Sequence, residues 1–261
     1  MSSLAVILAA HGSRHEPSIN ARVSALANEL RERGVCGEAH AAFHQGEPSF
    51  AAVLDRVVSR QVLVIPFMTA SGWYSETVLP RELASHPSFA RRRVEFAAPI
   101  GAHRGMAAIA ARRAQRLMQW FELPRGDVTL VLIGHGTSKH PASRDTTESL
   151  AMRLREDDVC PEVITAYLDD EPRVESIRGR ATRPVLLLQP FLINDGHHAT
   201  VDIPGRVGLV VPPDAALPFL GVATGRRVAL DAPIGADPCV IDLLIDTVVD
   251  CGRRLVPRKS A

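Results

Sequence analysis

Apolar residues along this chain follow two alternating rhythms. One is a short unbroken run, and the other is a longer stretch with an apolar position every three or four residues. Leu4-Ala-Val-Ile-Leu-Ala-Ala10 and Val128-Thr-Leu-Val-Leu-Ile-Gly134 are runs of the first kind. Such runs predict strands buried on both faces. In the first half the pattern predicts strands near 4–10, 38–43, 61–66 and 93–97, and helices near 18–33, 48–60, 75–86 and 104–121. In the second it predicts strands near 128–134, 162–168, 184–189 and 226–231, and helices near 142–156, 171–181, 199–206 and 237–252. Ile19, Val23, Leu26, Ala27 and Leu30 set the period of the helix at 18–33. Strand–helix alternation of this kind predicts parallel sheets with helices on both faces.

The two halves are one unit written twice. A constant offset of 124 carries His11-Gly12-Ser13 to His135-Gly136-Thr137, Pro17 to Pro141 and Cys36 to Cys160. It also carries Glu47-Pro48 to Glu171-Pro172, Pro66-Phe67 to Pro190-Phe191, Gly72 to Gly196 and Pro80 to Pro204. Further on, Ala98-Pro-Ile-Gly101 matches Ala232-Pro-Ile-Gly235 at an offset of 134, so ten extra residues lie within the Pro-rich stretch 208–221. The turn-rich segment 123–126 divides the halves, 1–123 and 124–261. The expected fold is α/β, two doubly wound parallel-sheet halves related by internal duplication.

Composition removes several classes. Thirty basic residues balance 29 acidic ones, for a formal charge of +1, which excludes nucleic-acid binding by bulk positive charge. No apolar run reaches the roughly 20 residues that a membrane-spanning helix needs. The run at 4–10 ends at His11 and Arg14 and has no basic leader, so it reads as a strand rather than a signal peptide. Cys36, Cys160, Cys239 and Cys251 form no C-x-x-C pair, which argues for reduced thiols in a cytoplasmic protein. Neither a G-x-G-x-x-G nor a Walker motif is present, so no nucleotide is expected.

Open parallel sheets bind ligands beyond the carboxyl ends of their strands. His11 and His135 end equivalent strands, and that repetition points to chemistry rather than to two unrelated turn caps. His44 follows the next strand but faces Leu168 in the repeat, and His86 and His103 read as surface loop residues. A second cluster is Gly196-His197-His198-Ala-Thr-Val-Asp202-Ile-Pro204. On a helix His198 and Asp202 share a face, the arrangement in which a carboxylate orients a metal-ligating imidazole. The first half has Gly72-Trp73-Tyr74 there, with Tyr74 in place of His198 and Val78 in place of Asp202. Trp73 and Tyr74 suit a wall against a flat aromatic ligand. Arg14, Lys139 and Arg144 lie just past the strand-end histidines, where they can meet carboxylates.

Taken together, the strand ending in His-Gly-Ser-Arg, the Glu-Pro after the second strand, and Pro-Phe-Leu…Gly-x-His-x-x-x-Asp-Ile-Pro resemble the class II tetrapyrrole chelatases. Within them the chain is most similar to sirohydrochlorin cobalto- and ferrochelatases of the long, two-half type. The resemblance implies two flavodoxin-like halves facing a cleft. It also implies ATP-independent insertion of a divalent metal (Co²⁺, Fe²⁺ or Ni²⁺) into sirohydrochlorin or a related tetrapyrrole. His135 and His198 would carry metal and protons, Asp202 would orient His198, and His11 would be the first-half counterpart. The duplication supplies internally what a dimer of single halves would, which is compatible with a monomer. Two rival readings differ in kind. A histidine phosphatase would need arginine before the strand-end histidine, where Ala10 and Gly134 stand. A tetrapyrrole- or metal-binding carrier without turnover would suit the aromatic pair in the first half.

Overall fold

The computed structural model describes residues 3–137, 141–194 and 196–255. In chain order the first elements are β1 (Leu4–Ala10), α1 (Pro17–Glu32), β2 (Glu38–Phe43), β3 (Gln61–Pro66), α2 (Leu79–Ala84), β4 (Arg93–Phe96) and α3 (Met106–Trp120). There follow β5 (Val128–Gly134), α4 (Ala142–Glu156), β6 (Glu162–Tyr167), α5 (Ile177–Arg180), β7 (Val185–Pro190), α6 (Ile203–Val207), β8 (Phe219–Ala223), β9 (Arg226–Leu230) and α7 (Val240–Leu255). They form two compact units, one of Met1–His103 with Pro238–Ala261, the other of Arg104–Asp237.

Unit one holds an all-parallel sheet in the order β2-β1-β3-β4. Every residue of β1 is buried. Ala5, Ile7 and Ala9 enter a core with Phe50, Val53, Leu54, Leu79 and Leu83. Alternation then sends Leu4, Val6 and Leu8 to the opposite face, the one α1 and α7 cover. Unit two repeats the plan as β6-β5-β7-β9-β8, parallel except for β8. Both are the flavodoxin-like doubly wound arrangement that the alternation predicts.

All eight expected strands form, but two expected helices shrink. The segment 48–60 holds one 3-10 turn, Ala52–Asp55. The segment 171–181 holds a turn at Val174–Ser176 and the four-residue α5. Phe50, Val53, Leu54 and Val57 bury apolar surface in the first of these, and the chain must then run back to β3. Carbonyls left open by the missing helix are taken by Arg92, which donates to Leu54 O, Val57 O and Ser59 O at 3.2, 2.7 and 2.6 Å. Its repeat partner Arg226 donates to Ala181 O at 2.9 Å.

The ten extra residues lead into an unexpected strand. β8 pairs antiparallel with β9 through the two-residue turn Thr224-Gly225, where φ is 54° and 81°. Positive φ at both positions matches the twist of a tight hairpin.

The compact units and the halves of the repeat differ by one helix each. α3 follows β4 in the chain yet belongs to unit two, and α7 follows β9 yet belongs to unit one. A buried ion pair fixes α3. Arg113, 3% exposed, donates to both carboxylate oxygens of Asp231 at 2.8 and 2.6 Å. It also reaches Ala232 O at 2.7 Å and Asp237 Oδ2 at 3.4 Å. Gln189 ties Ala110 O to the same carboxylate. Removing one member strands a buried charge, so Asp231→Ala is expected to destabilise the chain by about 3–5 kcal/mol. Urea denaturation measures this, and an unchanged midpoint would mean that the pair contributes nothing.

Each unit also clamps its second strand with a glutamate. Glu38 accepts from Val58 N, Ser59 N and Ser59 Oγ at 2.9, 2.8 and 2.7 Å. Glu162 accepts from Thr129 Oγ1, Thr182 N and Thr182 Oγ1. Partial burial opposes ionisation of both, but these hydrogen bonds outweigh it and hold each pKa below the ordinary value. A depressed pKa adds stability that is complete above the ordinary carboxylate range and is lost as pH falls through it. Glu38→Gln and Glu162→Gln should therefore lower the Tm at pH 7, and the deficit should narrow toward about pH 3. Thermal scans across this range test the sign; a deficit that widens in acid contradicts the clamp.

Candidate functional site

In unit two β5 and β7 are neighbours, with β6 on the far side of β5. The order of strands therefore reverses between β5 and β7, and a crevice beyond their carboxyl ends is where open sheets of this kind bind ligands. His135 is the first residue past β5. Gly136 follows it with φ 71°. A Cβ at Gly136 would lie 2.7 Å from Asp170 Cβ and 2.9 Å from Tyr167 Cβ, so neither space nor backbone admits another residue. The left-handed turn sets the Gly136 carbonyl beside the preceding ring, and His135 Nδ1 donates to it at 2.9 Å. A carbonyl only accepts, so Nδ1 carries the proton and Nε2 keeps its lone pair.

The segment past β7 supplies the second imidazole. A π turn, His198–Asp202, runs directly into α6. Unit one has the same device, Tyr74–Val78 running into α2. π turns widen the helix and occur often at functional sites. His198 Nδ1 donates to Asp202 Oδ2 at 2.6 Å, which again leaves Nε2 as the remaining donor atom. The His135 and His198 rings lie 5.1 Å apart, edge to face at 90°. Their side chains are 45% and 50% exposed, within reach of solutes. The expected triplet of His135, His198 and Asp202 is thus assembled within one unit.

The strand-end rule also locates a residue that the sequence reading passed over. Asp169 follows β6, its backbone N–H donates to His135 O at 2.9 Å, and its carboxylate lies 3.6 Å from His135 Nδ1. The adjacent pair Asp169-Asp170 at the end of a strand was the available signal. Among the described residues, no three His, Cys, Asp or Glu side chains converge on a common metal position. Two imidazoles alone would leave most positions of a bound cation open.

Unit one gathers a different set. His11 Nδ1 approaches Gly12 O at 3.2 Å, and Gly12 repeats the left-handed turn with φ 70°. The ring of Tyr74 lies 4.8 Å from His11 and 5.0 Å from His44, and Trp73 packs 5.0 Å from Tyr74 while 56% exposed. His44 therefore joins the strand-end cluster despite having no counterpart in the repeat. His86 lies in the loop after α2, as expected, but its ring is only 16% exposed and bonds Asp55 at 2.9 Å. Arg14 is exposed past β1. Arg144 lies 3.7 Å from Asp170 and over the Tyr167 ring, so a carboxylate already meets its charge. Lys139 lies outside the described residues.

Gly136 is the position where local geometry is least forgiving. Gly136→Ala is expected to destabilise the chain by about 2 kcal/mol or more, from the left-handed backbone and the close contacts together. Urea denaturation reads this, and tolerance of alanine would mean that the turn is not required.

Comparison with known proteins follows the same lines. The CbiX family model matches the chain twice, over residues 5–117 and 129–251. A protein of Halobacterium salinarum described as a probable sirohydrochlorin cobaltochelatase is 26% identical over 268 residues, covering 95% of this chain and 91% of that one. Among solved structures, DR2241 of Deinococcus radiodurans superposes with a TM-score of 0.70 and 27% identity over 95% of this chain. The match spans only 55% of that protein, which is described as multi-domain, with structural similarity to chelatases and two additional novel domains. The structure of CbiX, described as the terminal enzyme for siroheme biosynthesis in denitrifying bacteria, also has a TM-score of 0.70, at 21% identity over 94% of this chain and 98% of that one.

Proposed function

The chain belongs to the CbiX family, and from that premise we propose that it inserts a divalent metal, Co²⁺ or Fe²⁺, into sirohydrochlorin or a closely related tetrapyrrole without ATP. The observation that carries this reading is the His135–His198 pair, with each Nδ1 held by an acceptor and each Nε2 left as a donor. The cobaltochelatase description of the Halobacterium relative and the siroheme description of the CbiX structure support a sirohydrochlorin-type substrate. Imidazole ligates Co²⁺ and Fe²⁺, as it does Ni²⁺.

The reaction exchanges two pyrrole protons for one M²⁺, with no change of oxidation state. His135 and His198 hold the cation through Nε2 while it sheds water. As pyrrole nitrogens replace them on the metal, the same Nε2 atoms become free to take the departing protons. Asp202 stabilises the imidazolium that forms at His198, since its carboxylate already accepts from Nδ1. Asp169 acts in the same sense on His135. Arg14 and Lys139 pair with substrate carboxylates, and His11, Trp73 and Tyr74 offer a ligand-facing surface in unit one. The activity is soluble and cytoplasmic in this reading; among the described residues no helix is long and apolar enough to cross a membrane.

An absorbance time course of sirohydrochlorin with Co²⁺ and then Fe²⁺ tests the proposal. Wild type should accelerate insertion, and His135→Ala and His198→Ala should each lower kcat/KM at least a hundredfold. Full activity in His198→Ala would end this assignment. A spectral shift on binding with no gain in rate would replace it with the carrier reading, which the Trp73–Tyr74 pair suits.

A further inference from the structure

One imidazole beside the site has no part in the mechanism above. His197 precedes the π turn, and its side chain is 68% exposed, the most open of the three in unit two. Its Nε2 lies 3.6 Å from Asp202 Oδ1, while Asp202 Oδ2 is occupied by His198 at 2.6 Å. One carboxylate thus serves two consecutive histidines, one through each oxygen. An α-helix brings Asp202 beside His198, four residues away; the π turn's wider repeat brings it beside His197 as well, five away.

The gap between His197 and Asp202 is informative. At 3.6 Å it is too long for a hydrogen bond. It matches two ligands of one cation: with both donors about 2.1 Å from a metal, that gap subtends an angle of about 118°, near tetrahedral. Unit one retains the π turn but has Trp73, Tyr74 and Val78 at the three positions, so the donors are not a by-product of the backbone.

We propose that His197 Nε2 and Asp202 Oδ1 form an outer capture point for a hydrated divalent transition-metal ion, one step ahead of the His135–His198 pair. The inference rests on the chelatase reading for its purpose, though not for its geometry. The ion gives up one water to each outer donor. It then exchanges these for Nε2 of His198 and of His135, while Asp202 Oδ2 keeps its hydrogen bond from His198 Nδ1. The requirement comes from the cation itself: small divalent ions shed water one ligand at a time, and an exposed partial shell lowers the barrier to entering a site with only two inner donors.

Equilibrium titration of the full chain with Co²⁺ alone, followed by its visible ligand-field band, tests this without turnover. The variant His135→Ala/His198→Ala should still bind Co²⁺ through the outer pair, and adding His197→Ala should weaken that binding at least tenfold. His197→Cys, which supplies another ligand, should restore it. In the wild-type background His197→Ala should raise the KM for Co²⁺ by a larger factor than it lowers kcat. Equal Co²⁺ binding with and without His197 in the inner-deleted variant overturns the inference, as does an unchanged KM for Co²⁺. Absence of insertion by wild type would instead overturn the chelatase reading, and the titration would still decide the capture point.

Discussion

The Gly136 carbonyl and the Asp202 carboxylate each hold Nδ1 of one histidine, and the proposed chemistry of unit two depends on those two hydrogen bonds. An imidazole left to rotate presents either nitrogen, in either tautomer. With Nδ1 committed, Nε2 becomes the single donor, and its direction follows from the backbone. For His135 that backbone is a left-handed glycine wedged against Asp170 and Tyr167. For His198 it is a π turn that starts a short helix beneath the carboxyl end of β7. The sheet supplies the remaining order, because β5 and β7 are adjacent and end at the same level.

Much of this was legible in the residues. A strand buried on both faces is a continuous apolar run, so β1 and β5 could be read directly. His198 and Asp202 needed only a helix-like spacing to be paired, and the π turn preserves that pairing. Other features were hidden for physical reasons. β8 turns into β9 through Thr224-Gly225 rather than the Asn-Gly that marks a tight hairpin, and the run before β8 is broken by prolines. The segment 48–60 has the apolar spacing of a helix at Phe50, Val53, Leu54 and Val57, and period counting cannot see that Arg92 satisfies carbonyls a helix would otherwise have used. Asp169 carried no repeat signal, because Gln45 stands at its position in the first half.

The exchange of α3 and α7 was also beyond a pattern reading. The repeat makes the two helices equivalent and says nothing about which sheet each one covers. Side chains decide it. Unit two buries Asp231 and Gln189 beneath its helix, where the repeat positions in unit one are Ala97 and Ile65. α3 brings Arg113 to that place; α7 carries Thr247 at the equivalent position, which bonds its own Leu243 carbonyl. Were α7 to lie on sheet two, Asp231 would be buried with no cation. Were α3 to lie on sheet one, a guanidinium would face Ala97 and Ile65. Each misplacement strands a charge in an apolar interior, at about 3–5 kcal/mol, and the observed placement strands none.

Divergence of the two units can be read in the same terms. Both keep the strand-end histidine, the left-handed glycine and the π turn, which are properties of the backbone. Unit one replaces the donors on the π turn with aromatic and aliphatic side chains, and Tyr74 packs edge-on against His11 where unit two sets one imidazole against another. Val78, at the Asp202 position, is buried at 1% exposure, so no carboxylate orients the ring beside it. Unit one keeps the scaffold and has His44 beside His11, ring centroids 5.5 Å apart, in place of an imidazole on the π turn. A backbone that presents a side chain does not depend on what that side chain is, so the two copies can carry different groups on the π turn while the fold that holds them is unchanged.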